Sequence, residues 1–303
     1  MRRRIGTLAV LVLCACTSPD VQDAALPDAG GADAGAADAA VSDAGLDAGL
    51  DAGPGRVGPL EGALLVHGGG ANTGPEALAA FATLIGGLNA PVVVVPTASE
   101  PPPLTGSEAL FTGQGFTDVT VLHTTDPDVA NTDAFVEPIR RARGVYFTGG
   151  RQWRLADAYL GTLTEDELWN LLGRGGAIGG SSAGATIQGS FLFRGDTLSN
   201  TVLIGDHVEG FGFLEGVGID QHIAQRGRET DLFALIESEP GHLGLGLDER
   251  TSIVVRGDTF EVLGEGRVYV HHRALWDGAA TDEERYLVLT AGDRYDMDAR
   301  APL

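Results

Sequence analysis

The chain holds only two cysteines, Cys14 and Cys16, and both lie near its start. Everything beyond them lacks a thiol, which excludes a cysteine nucleophile, a disulfide and a thiolate metal site from the folded part. Positive charge is also scarce. Lys and Arg together number 20 against 42 Asp and Glu, a formal net charge of −22, and that balance argues against nucleic-acid binding. Long hydrophobic runs are missing too: the apolar stretch from Ile5 to Leu13 stops at Cys14 and is too short to cross a bilayer.

That short stretch follows Arg2, Arg3 and Arg4 and leads into Leu13, Cys14, Ala15, Cys16, with a small residue directly before a cysteine. The pattern matches a bacterial lipoprotein signal. It predicts a signal peptide over 1–16, acylation of Cys16 and export, with the membrane reached through the lipid anchor alone. An ordinary secretory signal is the alternative, and it too leads out of the cytoplasm. Thr17 after the acylated cysteine carries no inner-membrane retention signal, so the expected anchor is the outer membrane. Residues 17–57 set Asp20, Asp23, Asp28, Asp33, Asp38, Asp43, Asp47 and Asp51 among Ala and Gly. So little there can be buried that the segment reads as a disordered, self-repelling tether. Its Asp spacing does not suit a compact calcium cage. Residues 58–303 remain, enough for one domain with a substantial core.

In that domain short apolar runs ending in Gly or small polar residues alternate with amphipathic stretches, the pattern of a parallel α/β sheet with helices on both faces. Strands are expected at 63–67, 91–96, 118–123, 144–148 and 176–179, with helices near 75–86, 104–114, 133–143 and 152–173. Beyond about Phe211 the text turns strand-rich, with runs at 252–255, 260–263, 267–270 and 286–289 separated by turn signals. These predict antiparallel strands at one edge of the sheet. In such sheets ligands sit beyond the carboxyl ends of the strands.

Gly180, Ser181, Ser182, Ala183, Gly184 form a G-x-S-x-G elbow between an apparent strand and helix, where a nucleophilic serine occupies a turn too sharp for flanking side chains. A Gly-rich helix start, with Ser181 or Ser182 merely capping the first turn, fits the same five residues. A nucleophile needs a base. Of the seven histidines, only His222 stands directly after an apolar strand, whereas His271 and His272 read as surface or satisfied residues of a late edge strand. Glu249 and its neighbour Asp248, past the run 244–247, are candidates for the carboxylate that orients the imidazole. The order Ser, His, acid differs from the Ser, acid, His of the α/β-hydrolases and points away from lipases and esterases.

TGGRQWRL (148–155), GGSSAGA (179–185), GIDQHIAQRGR (218–228) and GLGLDERT (244–251) together resemble, in order and separation, four blocks of the cyanophycinases. These are serine peptidases related to the aspartyl dipeptidases and similar in fold to the class I glutamine amidotransferases. The resemblance spans the domain and implies a flavodoxin-like fold, a triad of Ser182, His222 and Glu249, and an oxyanion hole from the amides of Gly150 and Ala183. It further implies that Gln152, Asp220, Gln221 and Arg228 bind substrate, that no metal or organic cofactor is needed, and that the chain pairs as a homodimer. The implied substrate is a peptide or cyanophycin-like polymer, cut at aspartyl bonds into β-aspartyl-arginine units. Arg226 reads instead as part of a solvated helix face. Two residues depart from the family: cyanophycinases usually carry Asp where this chain has Arg151 and Arg where it has Asp231. Either these two neighbours keep one ion pair with its charges exchanged, or the pocket has been rewritten. The second outcome would favour an aspartyl or isoaspartyl dipeptidase of other specificity. A non-catalytic surface binding protein on the same fold, and an esterase built on the elbow, are the remaining alternatives.

Overall fold

The computed structural model describes residues 56–70 and 75–303. The expected signal peptide, Cys16 and all but the end of the expected tether lie outside the described residues. In chain order the elements are β1 (Ala63–His67), α1 (Pro75–Ile85), β2 (Val92–Val95), α2 (Leu104–Gly113), β3 (Val119–Val121), α3 (Pro127–Ala130), α4 (Asp133–Arg141), β4 (Gly144–Phe147), α5 (Trp153–Tyr159), α6 (Leu163–Gly173), β5 (Ala177–Ser181), α7 (Ala183–Thr186) and β6 (Gly189–Phe191). There follow β7 (Leu214–Gln221), α8 (Ile223–Arg226), α9 (Phe233–Ser238), β8 (Leu243–Leu247), β9 (Thr251–Arg256), β10 (Thr259–Gly264), β11 (Val268–His271), β12 (Tyr286–Leu289), β13 (Arg294–Asp296) and β14 (Ala301–Pro302).

A nine-stranded sheet runs β14-β13-β10-β9-β1-β5-β4-β2-β3. Its stretch from β1 to β3 is parallel, and β9 joins β1 antiparallel. Alternation sorts the parallel strands onto two cores. Ala63, Leu65, Val92, Val94 and Tyr146 face Phe81 of α1 and Phe111 of α2. Leu64, Val66, Val93, Val95 and Phe147 face α4, α5 and α6. Burial on both faces is why these strands are written in unbroken Val and Leu. The result is the doubly wound α/β architecture that the alternating pattern predicts, flavodoxin-like as the family resemblance implies.

Two expectations need correction. The helix predicted over 152–173 is two helices, α5 and α6, broken where Gly161 takes φ +68°. Thr162 caps α6 by accepting from the Thr164 N–H, and Glu165 accepts from the Gly161 N–H, so a T-x-x-E start signal lay inside the amphipathic run. The late strands do not all extend the main sheet. β9, β10, β13 and β14 do, but β11 and β12 join a second sheet, β12-β11-β8-β7-β6, in which β7 and β8 run parallel. His271 therefore belongs to an inner strand between β8 and β12, and burial pushes its pKa down to about 3. The second sheet contributes Val217, Ile219, Leu245 and Val270 to the core shared with α4–α6, leaving a seam between the sheets that the chain crosses at 248–250.

Candidate active site

Ser182 stands at the end of β5 in the main sheet, His222 at the end of β7 in the second, and Glu249 in the short crossing between β8 and β9. The seam brings them together. Ser182 Oγ lies 2.9 Å from His222 Nε2, and His222 Nδ1 lies 2.6 Å from Glu249 Oε1. Ser182 adopts φ 55°, ψ −114°, a strained elbow that leaves its side chain pointing out of the turn. The two motif glycines are forced by contact: a Cβ on Gly180 would stand 1.9 Å from Gly184 O, and one on Gly184 would stand 2.2 Å from Phe147 O. Of the two acidic candidates, Asp248 spends its carboxylate on the Ala224 and Arg267 N–H groups, so Glu249 alone reaches the imidazole.

His222 also sits in the left-handed region, φ 57°, which turns its ring back across the seam. Its burial lowers its pKa, and the hydrogen bond to Glu249 offsets this only in part. The ring is thereby neutral at neutral pH. With Nδ1–H donating to Glu249, Nε2 faces the serine hydroxyl with a free lone pair. The amides of Gly150 and Ala183 have no protein acceptor among the described residues, so both remain available to an oxyanion.

A cavity of about 390 Å³ opens on Ser182 and His222, walled by Ser99, Ser107, Leu110, Tyr146, Thr148 and Gly149. None of its walls carries a formal charge apart from what His222 can take up. These residues of the β2–α2 connection and α2 went unnoticed in the sequence, because small polar residues around a Pro-rich turn carry no chemical signature.

None of the four residues expected to bind substrate is a wall of that cavity, and all four, Gln152, Asp220, Gln221 and Arg228, are buried. Gln152, 2% exposed, donates through Nε2 to the carbonyls of Phe193 and Arg194. Asp220, fully buried, accepts from Arg194 Nε at 2.9 and 3.0 Å and lies 3.4 Å from Arg228 Nη1. Arg228 also donates to the Gln221 carbonyl, and Arg226 is exposed as expected of a solvated face. Arg151 and Asp231 do not pair: Arg151 Nη2 donates to the Asp196 carbonyl, and Asp231 is held by Arg194 Nη2. Arg194 was thus missed, although a lone arginine in the apolar run FLFRGD was its signal. Among the described residues no cluster of His, Cys, Asp or Glu could hold a metal ion, and no helix is long and apolar enough to cross a membrane.

Comparison with known proteins places the chain in a family. The family model described as Peptidase family S51 matches residues 64–263. A cyanophycinase of Geminocystis herdmanii is 30% identical over 264 residues, covering 80% of this chain and 97% of that protein. One of Synechococcus elongatus is 32% identical over 203 residues, covering 65% of this chain and 63% of its own. Among solved structures, a peptidase from an acI-B1 Actinobacterium superposes with a TM-score of 0.61 at 24% identity, over 80% of this chain and 97% of that one.

Proposed function

The chain belongs to peptidase family S51 and is a serine-type peptidase, and on that premise we propose that it hydrolyses aspartyl peptide bonds through an acyl-enzyme on Ser182. The observation that carries this reading is the unbroken chain of hydrogen bonds from Ser182 Oγ through His222 to Glu249. As the serine oxygen attacks the scissile carbonyl, its proton passes to His222 Nε2, and Glu249 stabilises the imidazolium that forms. The Gly150 and Ala183 amides hold the carbonyl oxygen as it gains charge, an interaction worth roughly a hundredfold or more in rate per donor. His222 then returns the proton to the leaving amine. Water, deprotonated by the same nitrogen, releases the acyl group and restores Ser182. Apart from that water and the substrate, the groups in these steps are side chains and amides of the chain itself.

The polymer to try first is cyanophycin, for which the similar proteins of Geminocystis and Synechococcus are named. Incubation with insoluble cyanophycin, followed by mass spectrometry of soluble β-aspartyl-arginine, tests the reading, with Ser182→Ala as control. Release by the wild type alone supports it; equal release by Ser182→Ala rejects the nucleophile. A second reading, an aspartyl or isoaspartyl dipeptidase of other specificity, is favoured by one observation. Asp220 and Asp231, the carboxylates that would greet a substrate guanidinium, are both occupied by Arg194. Cleavage of aspartyl dipeptides whose second residue has an uncharged side chain, with no release from cyanophycin, would decide for it.

We further propose export by a signal over 1–16, a lipid anchor on Cys16 in the outer membrane, a tether over 17–57 that holds the catalytic domain 58–303 off the surface, and a homodimer. Enzymatic degradation outside the cell suits a polymer too large to enter. Loss of membrane association in Cys16→Ser tests the anchor.

A further inference from the structure

The loop that leaves β1 holds, through its backbone, two members of the triad and the neighbour of the third. The Ser182 N–H donates to His67 O at 3.0 Å, the His222 N–H to Gly68 O at 3.1 Å, and the N–H of Arg250, next to Glu249, to Gly69 O at 3.0 Å. Three successive carbonyls thus receive one amide from each of the segments that carry the nucleophile, the base and the acid. The same loop also sets the side chains. Gly69, at φ +96°, lies so close to the imidazole that a Cβ there would stand 2.4 Å from His222 Cε1, and a Cβ on Gly70 would stand 3.1 Å from Glu249 Oε2.

The loop is itself held by the His67 ring. The Gly69 N–H donates to His67 Nδ1 at 3.0 Å, with Ser181 Oγ 3.2 Å from the same nitrogen. A backbone amide only donates, so Nδ1 is the bare nitrogen and the hydrogen sits on Nε2. The ring is 1% exposed. Burial, ahead of repulsion from His222, pulls its pKa down to about 4, which keeps this neutral form through the working range. Its Nε2–H is buried without an acceptor among the described residues, a penalty that an apolar residue at this strand end would not incur. What the ring supplies in return is Nδ1. Accepting from the amide two residues ahead, it does what an Asn side chain does in an Asx turn.

We propose that His67 is the positioning residue of this active site: by holding Gly69 it fixes the backbone of 67–70 as a template that aligns Ser182, His222 and Glu249 across the seam between the two sheets. The proposal rests on the triad reading above. His67 itself hydrogen-bonds none of the three side chains, so its effect is on alignment rather than on the reacting atoms.

The test compares His67→Asn, whose oxygen can stand where Nδ1 stands, with His67→Gln, whose oxygen lies one bond further out. Two readouts are taken beside the melting temperature: the downfield proton resonance of His222 Nδ1–H in its bond to Glu249, and the rate at which a fluorophosphonate labels Ser182. In the Gln variant the resonance is expected to weaken and labelling to slow about a hundredfold, the usual effect of an ångström-scale misplacement. In the Asn variant both should return to within about tenfold of wild type, a rescue that a purely structural role would not give. A folded Gln variant with an intact resonance and wild-type labelling overturns the proposal. If the Gln variant does not fold, the Asn variant decides, because it keeps an acceptor for the Gly69 N–H; slow labelling and a weakened resonance in a folded Asn variant are equally fatal. A wild type that shows the resonance but is never labelled refutes Ser182 as nucleophile, and the resonance in the variants then judges the alignment alone.

Discussion

Asp231 is held by Arg194, the same arginine that grips both carboxylate oxygens of Asp220 at 2.9 and 3.0 Å. The reversed charge at Asp231 is therefore balanced from the 193–200 loop and not by Arg151, whose guanidinium turns to the Asp196 carbonyl. A buried carboxylate flanked by two arginines and a second acid ties that loop to the strand leading into His222.

Arg194→Met should test how much this cluster holds. It strips fully buried Asp220 of its main partner, and breaking a buried pair from one side costs about 3–5 kcal/mol. Urea unfolding should show a loss of that order, and adding Asp220→Asn should recover part of it, since no charge is then left stranded. A loss under about 1 kcal/mol would mean that the pair contributes no more than a surface bridge.

Glu249→Gln keeps the shape of the acid and removes its charge. The amide can present its N–H₂ to His222 Nδ1 and so favour the tautomer with hydrogen on Nε2, which cannot take the serine proton. By analogy with carboxylate-to-amide changes in other triads, kcat should fall roughly 10⁴-fold with KM little changed. Steady-state kinetics on any cleaved aspartyl peptide gives the answer, and a loss of less than tenfold would remove Glu249 from the triad.

The acid limb of the pH profile follows from the surroundings of His222. Burial holds its pKa below the ordinary 6.5, Glu249 works against that, and Arg226 and Arg228 push in the same direction as burial. A base must be neutral, so kcat/KM should persist below pH 6.5 and fall only as the ring takes a proton. Arg226 is exposed and can be removed without disturbing the core. Arg226→Gln takes away a repelling charge, so protonation becomes easier and the limb should move to higher pH. A shift toward lower pH, or none, would contradict this electrostatic picture.

The parallel half of the fold was legible because buried parallel strands are written as unbroken apolar runs, and VVVV at 92–95 permits little else. The second sheet was not. β7, β8, β11 and β12 carry the same apolar text as edge strands, and nothing local says which sheet a strand joins. That choice depends on contacts distant in sequence where the chain passes between the sheets, as at 248–250, where the Arg250 N–H donates to Gly69 O. For the same reason the Ser, His and acid positions could be named from the ends of predicted strands, whereas Arg194, His67 and the β2–α2 wall could not. Their roles exist only through partners brought close by the seam.

That wall yields the last prediction. Gly106, on α2, lines the cavity that opens on Ser182, and a Cβ there would meet nothing nearer than Pro103 Cβ at 3.7 Å. A larger side chain can therefore enter the cavity without straining the backbone. Leucine is also the better helix former by somewhat under 1 kcal/mol, so Gly106→Leu should keep or slightly raise the melting temperature. If the cavity receives the substrate, the filled variant should show a KM raised severalfold or more for large peptides. The rate of Ser182 labelling by a small fluorophosphonate should hardly change, because the triad is untouched. Unchanged KM across short and long substrates would mean that substrate binds elsewhere and would leave the cavity as space that the reaction does not use.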